Sequence, residues 1–219
     1  MTASVNNYTI GKGIVYVRTM DKAPLAWAAT TAFATGDYYY TTAGKLYKVT
    51  TGGTSGSTAP TSTTNPVTDG SVTASYQDWV DIGNCPVFEF QPETTKLEHY
   101  SSRSGIKERD LTVITEKKGT LNITMDEWSV TNIALAVLGT TTGTAGSSVT
   151  EIFDSASVLA QVKMTMTNDV GKTFEWYFKN VSFTPNNTVS LISEEWGQLQ
   201  ITGDVSADAS GSFGTATEV

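Results

Sequence analysis

The chain has 219 residues, 39% of them hydrophobic and only 16% charged, with a net charge of −8. That length buries a sizeable core in one or two domains, and the acidic balance argues against a nucleic-acid-binding module that works through basic patches. A single cysteine, Cys85, excludes an intrachain disulfide framework and fits assembly in a reducing compartment.

The charge is unevenly placed. Residues 1–119 hold eleven acids and eleven bases, whereas residues 120–219 hold eleven acids against Lys163, Lys172 and Lys179, so the whole excess (3 − 11 = −8) lies in the second part. Ordinary solubility accounts for such a surface; the functional reading is a surface that repels a polyanion. The opening MTASVNNYTIGKG has no basic and apolar leader pattern, so no signal peptide is expected. No apolar run approaches the roughly 18 residues that suggest a membrane span.

In chain order, residues 8–20 form a strand candidate, with Ile14, Tyr16 and Arg18 on one face and Val15 and Val17 on the other. Residues 27–79 differ in composition, with only five charged residues and a polar tract, GGTSGSTAPTSTTNP. Strands are expected at 37–41, 46–50 and 72–79, between glycine-bearing turns. A unit of about 50 residues is near the limit for an independent core, so it should lean on the main domain. Its aromatics, Trp27, Tyr38, Tyr40 and Tyr47 among them, are candidates for stacking on sugar rings. The plainer reading is that they form a miniature core.

Residues 80–92 resume alternation, with Phe88 and Phe90 opposite Glu89 and Gln91. A long loop is then expected, in which Glu93, Glu98, Glu108 and Asp110 interleave with Lys96, Arg103, Lys107 and Arg109. Exposed ion pairs are each worth about 0–1 kcal/mol, and ordering long side chains costs entropy. Such a segment makes more sense as an arm that docks on a neighbouring subunit, where charge sets register and partner choice. Strands follow at 111–115 and 119–125. A helix then runs through VTNIALAVLG, capped by Ser129 or Asp126 and stopped by Gly139, with Asp126 and Glu127 at its positive end. Residues 139–150 read as a loop. Residue 152 and residues 158–167, 172–184 and 188–204 read as strand, with a turn at Pro185-Asn186-Asn187. The tail from Ser206 has little to pack.

Catalytic and metal chemistry find no support in the residue types. One His and one Cys are too few for a zinc site. His99, beside Tyr100, has no nucleophile at a useful spacing and reads as an interface residue. Cys85 reads as a small buried residue. GGTSG and GTTTGTAG lack the residues that complete a phosphate loop. No enzyme activity and no cofactor are expected.

The N-terminal GIVYV and the run GNCPVFEFQPETTKLEHYSSRSGIKERDLTVITEKKGTLNITMDEWSVTNIALAVLG resemble the major tail tube proteins of long-tailed, non-contractile bacteriophages. The resemblance covers residues 8–20 and 80–139 best. It implies a mainly β fold, a β-sandwich or barrel with one flanking helix and a long inter-strand loop. The core would be residues 1–26 and 80–204, with residues 27–79 an inserted β module on the tube exterior and residues 205–219 a C-terminal tail. It further implies a homohexameric ring, stacked into a virion tube that conducts DNA into the host and is assembled in the host cytoplasm. The partners would be further copies of the chain, the tape measure protein and the tail terminator and tip proteins, with double-stranded DNA only passing through and no membrane insertion.

On this resemblance the inter-ring loop holds Glu93, Lys96, Glu98, His99, Tyr100, Arg103, Lys107, Glu108, Arg109 and Asp110. Strand residues facing an electronegative lumen would be Glu89, Asp126, Glu175, Glu194 and Glu195. The inserted module does not fit inside a lumen that passes duplex DNA about 20 Å across. A carbohydrate-binding or adhesin module, and the tube of a contractile injection or type VI secretion system, stay open as alternatives.

Overall fold

The computed structural model describes residues 11–103, 105–144, 146–167, 172–185, 188–192 and 194–219. Residues 8–10 of the first expected strand and Asn186-Asn187 of the expected turn lie outside these. Among the described residues the chain is mainly β, with one helix and several sheets whose pairings are antiparallel except for β2 with β4, in keeping with the mainly β fold expected.

The main sheet has eight strands. It begins with β1 (Gly13–Met20), whose Val15 and Val17 enter the core while Tyr16 and Arg18 take the other face, as the alternation predicts. The inserted module follows: β2 (Leu25–Ala26), β3 (Ala32–Phe33), β4 (Tyr38–Tyr40), β5 (Leu46–Thr51), β6 (Gly53–Thr54), β7 (Val67–Asp69) and β8 (Val72–Gln77). The chain then returns through β9 (Val80–Asp81), β10 (Val87–Ser101) and β11 (Glu108–Met125) to α1 (Val130–Ala136). A hairpin, β12 (Thr140–Thr144) and β13 (Ser147–Glu151), precedes β14 (Val158–Met166), β15 (Phe174–Thr184), β16 (Leu199–Ser206) and β17 (Gly214–Glu218).

The strand order is β10-β11-β16-β15-β14-β1-β9, with β17 also paired to β15. Residues 180–184 of β15 pair with β16 and residues 174–178 with β17, so the two last strands share one edge. Apolar residues of β11, β14, β15 and β16 alternate into a single core with Leu135 and Ala136 of the helix. Phe90 on β10 meets Phe178 on β15 with ring centroids 4.9 Å apart. In a flat sheet strands three places apart lie about 14 Å from each other, so the sheet curls around this core.

The module has its own five-stranded sheet, β2-β4-β5-β8-β7, and a smaller β3-β6 pair. Its core is a column of rings, with centroid separations of 4.9 Å for Phe33–Tyr39, 5.3 Å for Tyr39–Tyr47 and 5.7 Å for Tyr47–Tyr76. It leans on the main sheet, as expected: Tyr38 and Leu46 pack on Met20 and Leu159. Arg18 is buried beneath it. The guanidinium donates to Gln161 Oε1 at 2.7 Å and to the Gly44 carbonyl at 2.8 Å, and lies 4.0 Å over the Trp79 ring. Burial holds its pKa below the ordinary arginine value, with Tyr177 acting in the opposite direction.

Four expectations change. The loop expected at 139–150 contains the β12–β13 hairpin. Among the described residues of 188–198 there is no strand; β16 begins only at Leu199. The C-terminal segment is not a tail: Asp208 accepts from Lys179 Nζ at 2.6 Å, from Ser210 N at 2.9 Å and from Ser212 N at 3.0 Å, which fixes the turn that returns β17 to β15. The helix end is set by Leu138, not Gly139. Leu138 takes φ +48° and the Gly139 N–H returns to the Ala134 carbonyl at 2.8 Å. Gly139 is needed for a different reason, since a Cβ there would lie 2.4 Å from the Glu151 carbonyl.

Candidate assembly surface

The charged segment that sequence reads as a long loop is mostly hydrogen-bonded ribbon. β10 pairs with β11 from Val87–Thr124 out to Ser101–Glu108, while β16 accompanies β11 only between Met125 and Gly119. Beyond the Pro92–Gly119 pair the two strands project alone. Residues 93–101, at about 3.4 Å per residue, carry the arm about 30 Å from the sheet. Bulges at Thr95/Lys96 and His99/Tyr100 interrupt the register, which twists an edge away from indiscriminate pairing. At the root, a Cβ on Gly119 would strike the Phe90 ring at 2.5 Å, so only glycine lets that ring reach Phe178.

Much of the arm's charge is met within the arm. Glu93 lies 3.3 Å from Lys118, Arg109 Nη1 donates to Glu98 at 2.6 Å, and His99 Nδ1 lies 2.6 Å from Asp110. The Tyr100 hydroxyl and then Arg109 hold the Glu98 carboxyl below its usual range. Lys107 stands 6.0 Å from the Tyr100 ring centre. Lys96 stands opposite Ile114 and Glu108 opposite Ser101; Arg103 is exposed in the turn.

The apolar residues are what the arm leaves open. Leu97 faces Val113 and His99 faces Leu111 across the ribbon, so these share one face, and all three apolar residues are exposed. Ile114 is exposed on the opposite face and Ile106 in the turn. Sequence reading missed this set by attending to charge; its signal was Leu111 and Val113 at strand spacing within DLTVIT. Covering Leu97, Leu111 and Val113 would return on the order of 3–6 kcal/mol before ordering costs, more than exposed ion pairs supply.

The lumen candidates do not form one surface. Glu89 is exposed on the polar face of the main sheet opposite Asn122, beside Thr202. Asp204 shares that face and was overlooked, although the alternation LQITGDVS points to it. Glu175 is half-buried and 3.7 Å from Lys163, so its charge is partly met. Asp126 and Glu127 do not sit in the helix. The cap is Ser129, and the two acids hold Asn84, whose N–H meets Glu127 at 3.0 Å and whose side chain meets Asp126. Gly83, at φ +78°, leaves room for that Glu127 carboxylate. Glu194 and Glu195 lie before β16, off any strand.

The sugar-stacking set is corrected as well. Tyr38 and Tyr47 are buried. Trp27 is half-buried with its indole N–H 2.7 Å from Asp69 Oδ2. Tyr40, half-buried, lines a cleft of about 220 Å³ with Tyr177, Gln161 and Asn180. These rings build the module. Among the described residues no cluster of His, Cys, Asp or Glu is placed to hold a metal.

A family model described as "Protein of unknown function UCP028589" matches residues 67–160. The matched segment runs from β7 through the arm and the helix into β14. No curated protein matches the chain.

Proposed function

We propose that this chain is a self-assembling structural protein, a subunit of the tail tube of a long-tailed bacteriophage. Its copies form hexameric rings that stack into a conduit for DNA, and it carries out no chemistry. The observation that carries this reading is the arm: a two-stranded ribbon that leaves the core and exposes Leu97, Leu111 and Val113 along one face. A monomer gains nothing from that exposure, and an inter-ring contact would cover it. The sequence resemblance supplies the tube, the ring and the DNA. The inserted module would then lie on the outside, with the polar face bearing Glu89 and Asp204 as the acidic surface closest to the lumen.

Purified protein viewed by negative-stain electron microscopy at increasing concentration should show tubes of uniform diameter. Deleting residues 98–107 with a two-residue glycine turn should leave a folded protein that no longer stacks. A wild-type chain that stays monomeric at millimolar concentration rules the reading out.

A further inference from the structure

Around helix α1 lies a second apolar surface that the core does not use. On the N-terminal side Trp128 is exposed and donates to the Gly197 carbonyl at 3.0 Å, which ties it to the segment carrying Leu191, Ile192 and Trp196. Ile192 is 95% exposed and Trp196 is 94% exposed. On the C-terminal side the Phe153 N–H reaches the Val137 carbonyl at 3.0 Å, and Ile152 and Phe153 both face solvent. Phe153 is held at φ +57°, a conformation bulky residues rarely adopt. The helix between these two groups has seven residues and is about 10 Å long.

We infer that this surface is the seat for the arm of a second copy of the chain; the inference rests on the self-assembly reading above and names its receptor. Charge supports it. Residues 126–158 and 188–203 contain Asp126, Glu127, Glu151, Asp154, Glu194 and Glu195 and no Lys or Arg. Residues 93–118 of the arm carry six bases against five acids, a net of 6 − 5 = +1, with Arg103 and Lys107 placed at its tip. Among the described residues none of Asp126, Glu127, Glu151, Asp154 and Glu194 has an ion pair of its own. Apolar residues lie among the charges on both sides, which gives a contact an apolar centre with a charged rim.

Geometry excludes the arm's own chain as occupant. β11 has 18 residues, with the arm turn at its Glu108 end and the helix surface just past its Met125 end. At about 3.4 Å per residue the two lie on the order of 60 Å apart along one strand. The contact is therefore made head to tail between copies, and such a contact propagates.

The test uses four full-length proteins in analytical ultracentrifugation at low salt: wild type, R103E/K107E, D154K/E194K, and a chain carrying all four changes. All four positions are exposed, so thermal unfolding should be unchanged. Each double variant should raise the concentration for half-assembly by about tenfold or more, and the combined chain should return to within about threefold of wild type. A combined chain as defective as either double variant, or a D154K/E194K protein that assembles normally, overturns the seat while leaving self-assembly intact. A wild type that never assembles overturns both.

Discussion

Replacing Asn132 tests whether the helix is held to the sheet as the structure indicates. The side chain is 1% exposed and its amide donates to the Ile82 carbonyl and to the Glu127 carbonyl, each at 2.8 Å. One residue thus ties the helix to the β9–β10 connection and to the end of β11. In Asn132→Ala both carbonyls lose their donor. Leaving the two carbonyls without a donor costs about 1–3 kcal/mol each, the lower part of that range applying where water reaches them. Alanine returns roughly 0.5 kcal/mol of helix propensity, so the expected loss is about 2–4 kcal/mol. For a chain of this size that lowers Tm by about 4–16 °C. Asn132→Asp keeps the shape but replaces the donors with acceptors, and should be at least as damaging. Urea unfolding followed by tryptophan fluorescence measures both variants, with Glu89→Ala as the exposed control expected within about 0.5 kcal/mol. A loss for Asn132→Ala as small as the control's refutes the reasoning.

Burial, then Asp81, Asp126 and Glu127, push the Cys85 thiol up to about 12. At pH 8 it should react with a disulfide reagent roughly a thousandfold more slowly than in the urea-unfolded chain; rapid stoichiometric labelling of native protein contradicts this. Since the folded pKa lies above the unfolded one, this group's contribution to stability is complete below about pH 8.5 and declines as pH rises towards 12. Asp208 behaves in the opposite sense: Lys179, then the Ser210 hydroxyl, hold it well below the usual carboxylate range. Its contribution is present above about pH 3.9 and is lost as pH falls below that value. Asp208→Asn should speed amide exchange in residues 214–218 by about tenfold and leave residues 121–125 unchanged; equal exchange in both segments would show that Asp208 does not hold β17.

Strands with one buried face were legible because alternation survives there. Val15 and Val17 in β1, Leu121, Ile123 and Met125 in β11, and Val72 and Ala74 in β8 follow it, whereas β4 and β5, with neighbouring residues buried on both faces, were legible from the glycine-bearing turns that bound them. Apart from residues 111–115, the arm was legible as charge but not as strand, since a ribbon wet on both faces needs no alternation. Hence EKKG reads as a break although Glu116–Gly119 are paired throughout. β17 was illegible for a related reason: GTATE carries little apolar pattern and forms a strand because half of the β15 edge is available to it. LISEEW misled in the other direction. Its apolar residues look like a strand face, yet Leu191, Ile192 and Trp196 point to solvent. The tyrosines of the module show why aromatic composition alone does not define a sugar platform, because Tyr39 and Tyr47 are wholly buried. Arg18 was placed on the correct face, but nothing in the residues around it announced that the module would cover that face.

The single strand β11 has a mechanical consequence. It enters the arm at Glu108, passes the glycine beneath the Phe90 ring, and ends at Met125 between β10 and β16. The two strands of the arm are joined at its tip, so tension along the arm loads the β11–β16 hydrogen bonds, which lie perpendicular to the strand, in shear together and does not open them one at a time. Whatever grips the tip pulls on the aromatic contact between Phe90 and Phe178 in the same stroke. The chain therefore resists stretch along this axis far better than peeling across it.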